Sequence, residues 1–331
     1  MFDLQQCGWK SFFQEQLSAD AWEAYQPGRI ALIHQSQIVI WSAQGEHSLA
    51  VPRCENPKDL IVGDWVCLPH SPQERVRRLA RGNELVRWAP GGQARRQPFA
   101  ANVDTLVIVS SCDNDFSESR IERYLALAAE ARIRPVIVLT KADLTDKADD
   151  FKQVARVLGS DIQIECVDAR AADHLVALQD VCPPGQTAVL MGASGVGKST
   201  LINSLADADQ ATFEVSAFDG KGRHSTTARS LHPMPGGGLL LDTPGTRDLQ
   251  LADCATGIDA VFPEVIQFAE ACRFNNCQHH TDAGCAIRDA LKAGTLNPER
   301  WQRYQQLQIE QAQYFEAMAA GAKKKRKPRK R

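Results

Sequence analysis

Apolar side chains follow three successive rhythms along this 331-residue chain. In residues 1–25, Phe12, Phe13, Leu17, Trp22 and Tyr25 recur at helical spacing, which predicts an amphipathic helical start. From Gly28 the rhythm shortens. Runs at 29–34, 37–42, 47–52, 64–69 and 75–79 are divided by turn residues such as Gly45 and Gly63-Asp64. Five such runs predict a small β-barrel, the OB-fold being one candidate.

From Asn102 compact apolar runs alternate with longer amphipathic ones. Strands are expected at 105–110, 135–139, 162–167, 187–191 and 239–241, and helices at 117–133, 146–158, 171–178 and 198–205. Strand–helix alternation implies a parallel sheet covered on both faces. A helix at 286–292 is stopped by Gly294. A longer one opens at Asn297-Pro298, with Asn as N-cap and Pro in the first turn, and runs to about Ala320. No run of eighteen apolar residues occurs, so no membrane-spanning helix is expected. The first residues lack a basic segment followed by an apolar core, so no secretory signal is expected either.

Charge sharpens this picture. The net charge of −2 hides an asymmetry, because eight of the 38 basic side chains lie in 323–331 with no acid among them. The remaining 30 face 40 acids, so an acidic body at −10 carries a basic arm at +8. That excludes a uniformly basic nucleic-acid binder. Seven arginines in 75–96 read either as a solvated loop or as a phosphate-contact surface. Of ten cysteines, seven are scattered and read as buried small residues in a reducing, cytoplasmic setting.

The other three cluster as Cys272-x4-Cys277-x-His279-x5-Cys285. Three thiolates and an imidazole make a closed tetrahedral site, which suits one structural Zn2+. His280 is the competing imidazole.

Gly192-Ala193-Ser194-Gly195-Val196-Gly197-Lys198-Ser199, followed by Thr200, fits G-x-x-x-x-G-K-[ST] between an expected strand and an expected helix. Backbone N–H groups there cradle phosphates, Lys198 reaches the outer ones and Ser199 ligates Mg2+. Leu239–Leu241 leads into Asp242-Thr243-Pro244-Gly245, where Asp242 can hold the magnesium through water and Gly245 can sense the terminal phosphate. Thr140-Lys141-Ala142-Asp143 follows another strand and resembles the guanine-reading N-K-x-D motif. The Asp143 carboxylate can accept from both the ring N–H and the exocyclic amine of guanine, a donor pair that adenine lacks. Here the base-reading motif precedes the phosphate loop by about fifty residues. Either that match is accidental or the domain is circularly permuted, which costs little where termini lie close. Between the two phosphate motifs, 220–227 reads as a switch loop, with Thr226 the threonine expected on magnesium. Thr246 stands where Ras-like proteins carry a water-orienting glutamine, which leaves His224 as the nearest candidate and predicts slow intrinsic hydrolysis. Two rival classes use the same residues: an ATP-dependent enzyme, and an RNA-binding module with a dead nucleotide site.

Taken together these residues resemble the circularly permuted ribosome-biogenesis GTPases of the RsgA family, also called YjeQ or EngC. The resemblance covers nearly the whole chain. It includes G-D-W-V at 63–66, A-A-N-V-D at 100–104, T-K-A-D at 140–143, G-A-S-G-V-G-K-S-T at 192–200, G-K-G-R-H-S-T-T at 220–227, D-T-P-G-T-R at 242–247 and the cysteine cluster. It implies an N-terminal helix plus OB-fold barrel (1–99), a circularly permuted P-loop α/β GTPase domain (100–252) and a mainly helical zinc-binding domain (253–320), while the basic composition of 321–331 predicts a disordered tail. It implies GTP hydrolysis stimulated by the small ribosomal subunit and its rRNA, during a late step of that subunit's maturation. It also implies His224 as the catalytic residue. A cytoplasmic monomer without membrane partners is expected. Thr140 in place of asparagine, Ser225 within the usual H-T-T, and Val167-Asp168-Ala169 in place of V-S-A depart from the family pattern.

Overall fold

The computed structural model describes residues 2–34, 36–71, 74–89, 95–159, 161–171, 180–207, 229–234, 236–242 and 249–326. Two short helices, α1 (Ser11–Gln14) and α2 (Ala19–Ala24), open the chain. Strands β1 (Tyr25–Ile33), β2 (Gln37–Ser42), β3 (Gly45–Ala50), β4 (Trp65–Pro69), β5 (Arg77–Arg78), β6 (Glu84–Trp88), β7 (Arg96–Ala101) and β8 (Thr105–Ser111) follow. Next come α3 (Glu118–Glu130), β9 (Arg134–Thr140), α4 (Ala148–Leu158), β10 (Gln163–Cys166), β11 (Thr187–Gly192) and α5 (Lys198–Asp207). The chain continues through β12 (Ser230–Pro233), β13 (Leu239–Asp242), α6 (Ala255–Val261), α7 (Pro263–Glu270), α8 (Ala286–Ala293) and α9 (Pro298–Arg326).

Two compact units result. The first comprises Met1–Leu85, Pro98–Ser117 and Ile133–Asp248, and the second Val86–Gln97, Glu118–Arg132 and Leu249–Arg331. In the first unit one mixed sheet runs in the order β10-β9-β8-β11-β13-β12-β1-β2-β3. Strands β10, β9, β8, β11 and β13 are mutually parallel. Their compact apolar sequences reflect burial on both faces: all seven residues of β8 and all six of β11 are inaccessible. Helices and loops cover them with Val181, Val196, Leu201 and Met234.

The N-terminal strands are antiparallel. β1 pairs with β2, β4 and β12, and β4 with β5. Beyond β3 the chain returns to β5, where the Val76 N–H donates to Arg53 carbonyl (3.0 Å) and the Glu55 N–H to Val76 carbonyl (3.1 Å). The strands thereby bend around Ile30, Ile38, Ile40, Val66 and Leu68. The helical start expected over 1–25 is two short helices instead. Ser18 caps the second, its hydroxyl accepting the Ala21 N–H.

The arginine-rich stretch is not simply a solvated loop. It holds β5 and β6, and its Arg81 points inward. Nε and Nη2 of Arg81 grip the fully buried Asp64 at 2.6 and 2.8 Å, and the guanidinium also meets Glu84. Arg77 and Arg78 stay exposed on β5. The helix expected at 171–178 lies, apart from Ala171, outside the described residues.

The second unit is helical and organised by charge. Glu122 of α3 is fully buried between Arg300 (2.6 Å) and Arg303 (2.8 Å) of α9. Arg300 also reaches Glu264 of α7 (2.7 Å) and lies 4.2 Å over the Phe262 ring. Asn297 caps α9 as expected, its Oδ1 accepting the N–H groups of Glu299 (2.8 Å) and Arg300 (3.1 Å). That helix continues past Ala320 to Arg326. All ten cysteines are free thiols, and among the described residues no helix is long and apolar enough to cross a membrane.

Removing one member of a buried ion cluster strands the others. Glu122→Ala is therefore expected to lower unfolding stability by about 3–5 kcal/mol, measured by denaturant titration of the full chain.

Candidate nucleotide site and metal centre

Parallel strands point their carboxyl ends the same way, and in this sheet those ends carry the chemistry. Thr140 ends β9, Cys166 ends β10, Gly192 ends β11 and Asp242 ends β13. The segments T-K-A-D and Val167-Asp168-Ala169, the glycine-rich loop and Asp242 thus lie along one edge, although the chain visits them in an unusual order.

The loop from Gly192 to Lys198 is shaped by its surroundings. A Cβ on Gly192 would lie 2.2 Å from the Val109 carbonyl oxygen of β8, so strand packing admits only glycine there. Gly195 and Gly197 have φ of +84° and +95°, a region that disfavours side chains. Val196 anchors the loop in the core, while Ser194, Gly195, Ser199 and Thr200 are exposed and Ala193 is half-buried. The Lys198 ammonium donates to the carbonyls of Gly192 (2.9 Å) and Ala193, folding back over the loop at the start of α5. Burial pulls its pKa down, opposed by Asp242. Burial pushes the Asp242 carboxyl up, opposed by His232 and Lys198. A cation and a carboxylate thus converge beside a helix N-terminus, an arrangement suited to phosphate and a divalent ion.

Thr140 connects the two halves of the site. Its hydroxyl is fully buried and reaches the Val196 carbonyl inside the phosphate loop, with Ser110 carbonyl 3.2 Å away. Both carbonyls lie within reach of the hydroxyl, and Val196 is the closer acceptor. The threonine that departs from N-K-x-D therefore supplies a tie between base-side strand and phosphate loop. Sequence reading missed this bond, because only the strand order makes residues 140 and 196 neighbours. Lys141 follows in the left-handed region with φ +58°, Ala142 is half-buried and Asp143 is exposed. His224, Thr226 and Gly245 lie outside the described residues.

The cysteine cluster sits in the second unit, in the loop between α7 and α8. Its base is closed by the Arg273 N–H donating to Gly284 carbonyl at 3.0 Å. The ligand atoms of Cys272, Cys277, His279 and Cys285 all lie within 4.8 Å of one another. His279 Nδ1 is 3.6 Å from the Sγ atoms of both Cys272 and Cys285. Zn–S and Zn–N bonds of ordinary length in a tetrahedron imply an N···S edge of about 3.6 Å, so the donor set fits a metal of that coordination. Burial raises the Cys272 thiol, but the N–H groups of Ala286 and Ile287 at the start of α8, together with the Cys277 and Cys285 side chains, outweigh it and favour the thiolate. Burial pushes Cys277 up to about 11. His280 is exposed and takes no part in the cluster.

A sequence-family model described as RsgA GTPase matches residues 78–252. The Small ribosomal subunit biogenesis GTPase RsgA 2 of Vibrio vulnificus is 46% identical over 312 residues, covering 94% of this chain and 88% of that protein. The Small ribosomal subunit biogenesis GTPase RsgA of Mesorhizobium japonicum is 45% identical over 312 residues, covering 93% and 89%. Among solved structures, YjeQ from Thermotoga maritima aligns with a TM-score of 0.59 at 22% identity, covering 89% of this chain and 99% of that one. YloQ, a circularly permuted GTPase, aligns at 0.56 and 24%, covering 92% and 97%. These two share the fold.

Thr140→Val keeps the shape of the side chain and removes the donor to Val196. An unpaired buried carbonyl costs about 1–3 kcal/mol, so the full chain is expected to lose about that much unfolding stability in denaturant titration, with Thr140→Ser near wild type.

Proposed function

Since this chain belongs to the RsgA GTPase family, we propose that it binds GTP with Mg2+, hydrolyses it to GDP and phosphate, and does so on the small ribosomal subunit and its rRNA during late maturation. The observation that carries the nucleotide reading is the Thr140–Val196 bond, which joins T-K-A-D to the phosphate loop at one sheet edge. Asp143 reads guanine, with the Lys141 stem over the base and Thr140 and Ala142 framing the turn. The backbone of 192–197 cradles the phosphates, Lys198 meets the outer ones, and Ser199 and Thr200 open the helix behind them. Ser199, Thr226 and Asp242 would hold magnesium, which would neutralise charge developing on the phosphates, and Gly245 would sense the terminal phosphate. His224 positions water in the absence of a glutamine at Thr246, so hydrolysis by the free protein is slow.

We assign Zn2+ to Cys272, Cys277, His279 and Cys285 as a structural ion, which supplies folding energy to a short segment. Support comes from the 3.6 Å spacings and the closed Cys3His donor set. We further propose that residues 1–99 form an OB-type barrel, 100–252 the GTPase domain and 253–320 the zinc domain, with 321–331 as a basic arm that adds salt-dependent affinity for RNA. The protein acts as a cytoplasmic monomer without membrane partners.

Turnover of GTP with and without purified small subunits tests the central reading. Stimulation well above the basal rate is expected, and an unchanged rate overturns it. Asp143→Asn removes a charge-assisted pair of hydrogen bonds and is expected to weaken GTP binding about 10- to 100-fold while leaving ATP binding as weak as before. Equal wild-type affinity for GTP and ATP rejects the guanine assignment. One equivalent of zinc is expected by metal analysis, falling below half in Cys272→Ser or Cys285→Ser, with partial unfolding on chelation.

A further inference from the structure

The turn after β8 belongs to none of the motifs above, yet it is organised around one carboxylate. Asp113 accepts from the Lys141 ammonium at 2.8 Å, from the Ser111 hydroxyl at 2.7 Å and from the Asp115 N–H at 2.9 Å. Burial alone would raise this carboxyl. The Lys141 ammonium, the Ser111 hydroxyl and the Asp115 N–H together hold it below the usual range, so it stays charged. Ser111 and Thr140 are register partners on β8 and β9, so the ion pair bridges the ends of two adjacent parallel strands. Lys141 is therefore constrained twice, by its left-handed backbone and by a tether at the end of its side chain.

We infer that Asp113 is a positioning residue for guanine recognition: it holds the Lys141 ammonium sideways, so that the four-carbon stem stands as a ready shelf for the base. The inference rests on the guanine reading of T-K-A-D and adds a residue to it. A lysine side chain free in solvent loses rotamer freedom when its stem packs on a ligand. Tethering the ammonium beforehand removes that loss from the binding step, which is preorganisation. The pair is about one-third exposed, at 31% for Lys141 and 36% for Asp113, so solvent screens it and the effect is modest and salt-dependent.

The test is a double-mutant cycle on the full chain, read as the dissociation rate of a fluorescent GDP analogue and as KM and kcat for GTP. Asp113→Ala is expected to speed dissociation about three- to fivefold at low salt and to raise KM in step, while kcat changes less than KM. In a Lys141→Ala background the same substitution is expected to add nothing, because its effect runs through the ammonium. Asp113→Asn keeps the oxygen acceptor without the charge and is expected to fall between wild type and Asp113→Ala. A wild-type dissociation rate in Asp113→Ala, or full additivity in the double variant, overturns the positioning role. A control compares GDP with ADP on the unaltered protein. Preference for GDP together with an inert Asp113→Ala removes only this role, whereas no preference removes the guanine reading and this role with it.

Discussion

Everything at the candidate site depends on five neighbouring strands running in one direction. In a parallel sheet the carboxyl ends share an edge whatever the order in which the chain makes them. That is why T-K-A-D can precede the phosphate loop in sequence and still meet it in space. The central strands β8 and β11 leave no room for error: every side chain is buried, and Gly192 emerges against the Val109 carbonyl, where no Cβ fits. The tie from Thr140 to Val196 then converts shared direction into contact.

A second constraint is that buried carboxylates are met by arginines in each unit. Asp64 is inaccessible, and Arg81 meets both its oxygens. Glu122 is inaccessible, and two arginines meet it. Arg29 is the contrasting case. It is 1% exposed, and among the described residues no carboxylate is paired with it. It donates to the Cys7 and Asn102 carbonyls and lies 5.7 Å over the Trp65 ring. Burial brings it down to about 10, still charged at neutral pH. This guanidinium draws the N-terminal segment, β1 and the A-A-N-V-D stretch together, and so fixes how the N-terminal strands meet the parallel ones within their unit. Such clusters add little net stability, since desolvation offsets much of their attraction, while removing one partner costs far more.

Much of the site was legible because its chemistry is local. A phosphate loop needs glycines at set positions followed by Lys and Ser, and 192–199 has them. A closed metal site needs four donors at short spacing, and 272–285 has them; the geometry even separates His279, which faces two thiols at 3.6 Å, from exposed His280. Asp113 was not legible in the same way. The Asp115 N–H donates to Asp113 in a local Asx turn. Its partner, 28 residues away on the next strand, depends on sheet order. Arg81 was misjudged for the same reason: among seven arginines, nothing local marks the one that turns inward.

The sequence by itself determined the five parallel strands, the helix capped by Asn297, the glycine-rich loop, the cysteine cluster and the family, because each is written in residues close along the chain; β6, β7 and β12 were not among the strands it showed. Tertiary structure alone decided which segments became neighbours. It put Thr140 against the phosphate loop, Asp113 against Lys141, Asp64 against Arg81 and Glu122 between two arginines. The physical reason is one of distance. Hydrogen-bonding and charged side chains act over a few ångströms, and only the pairing of strands and packing of helices bring partners tens or hundreds of residues apart within that reach.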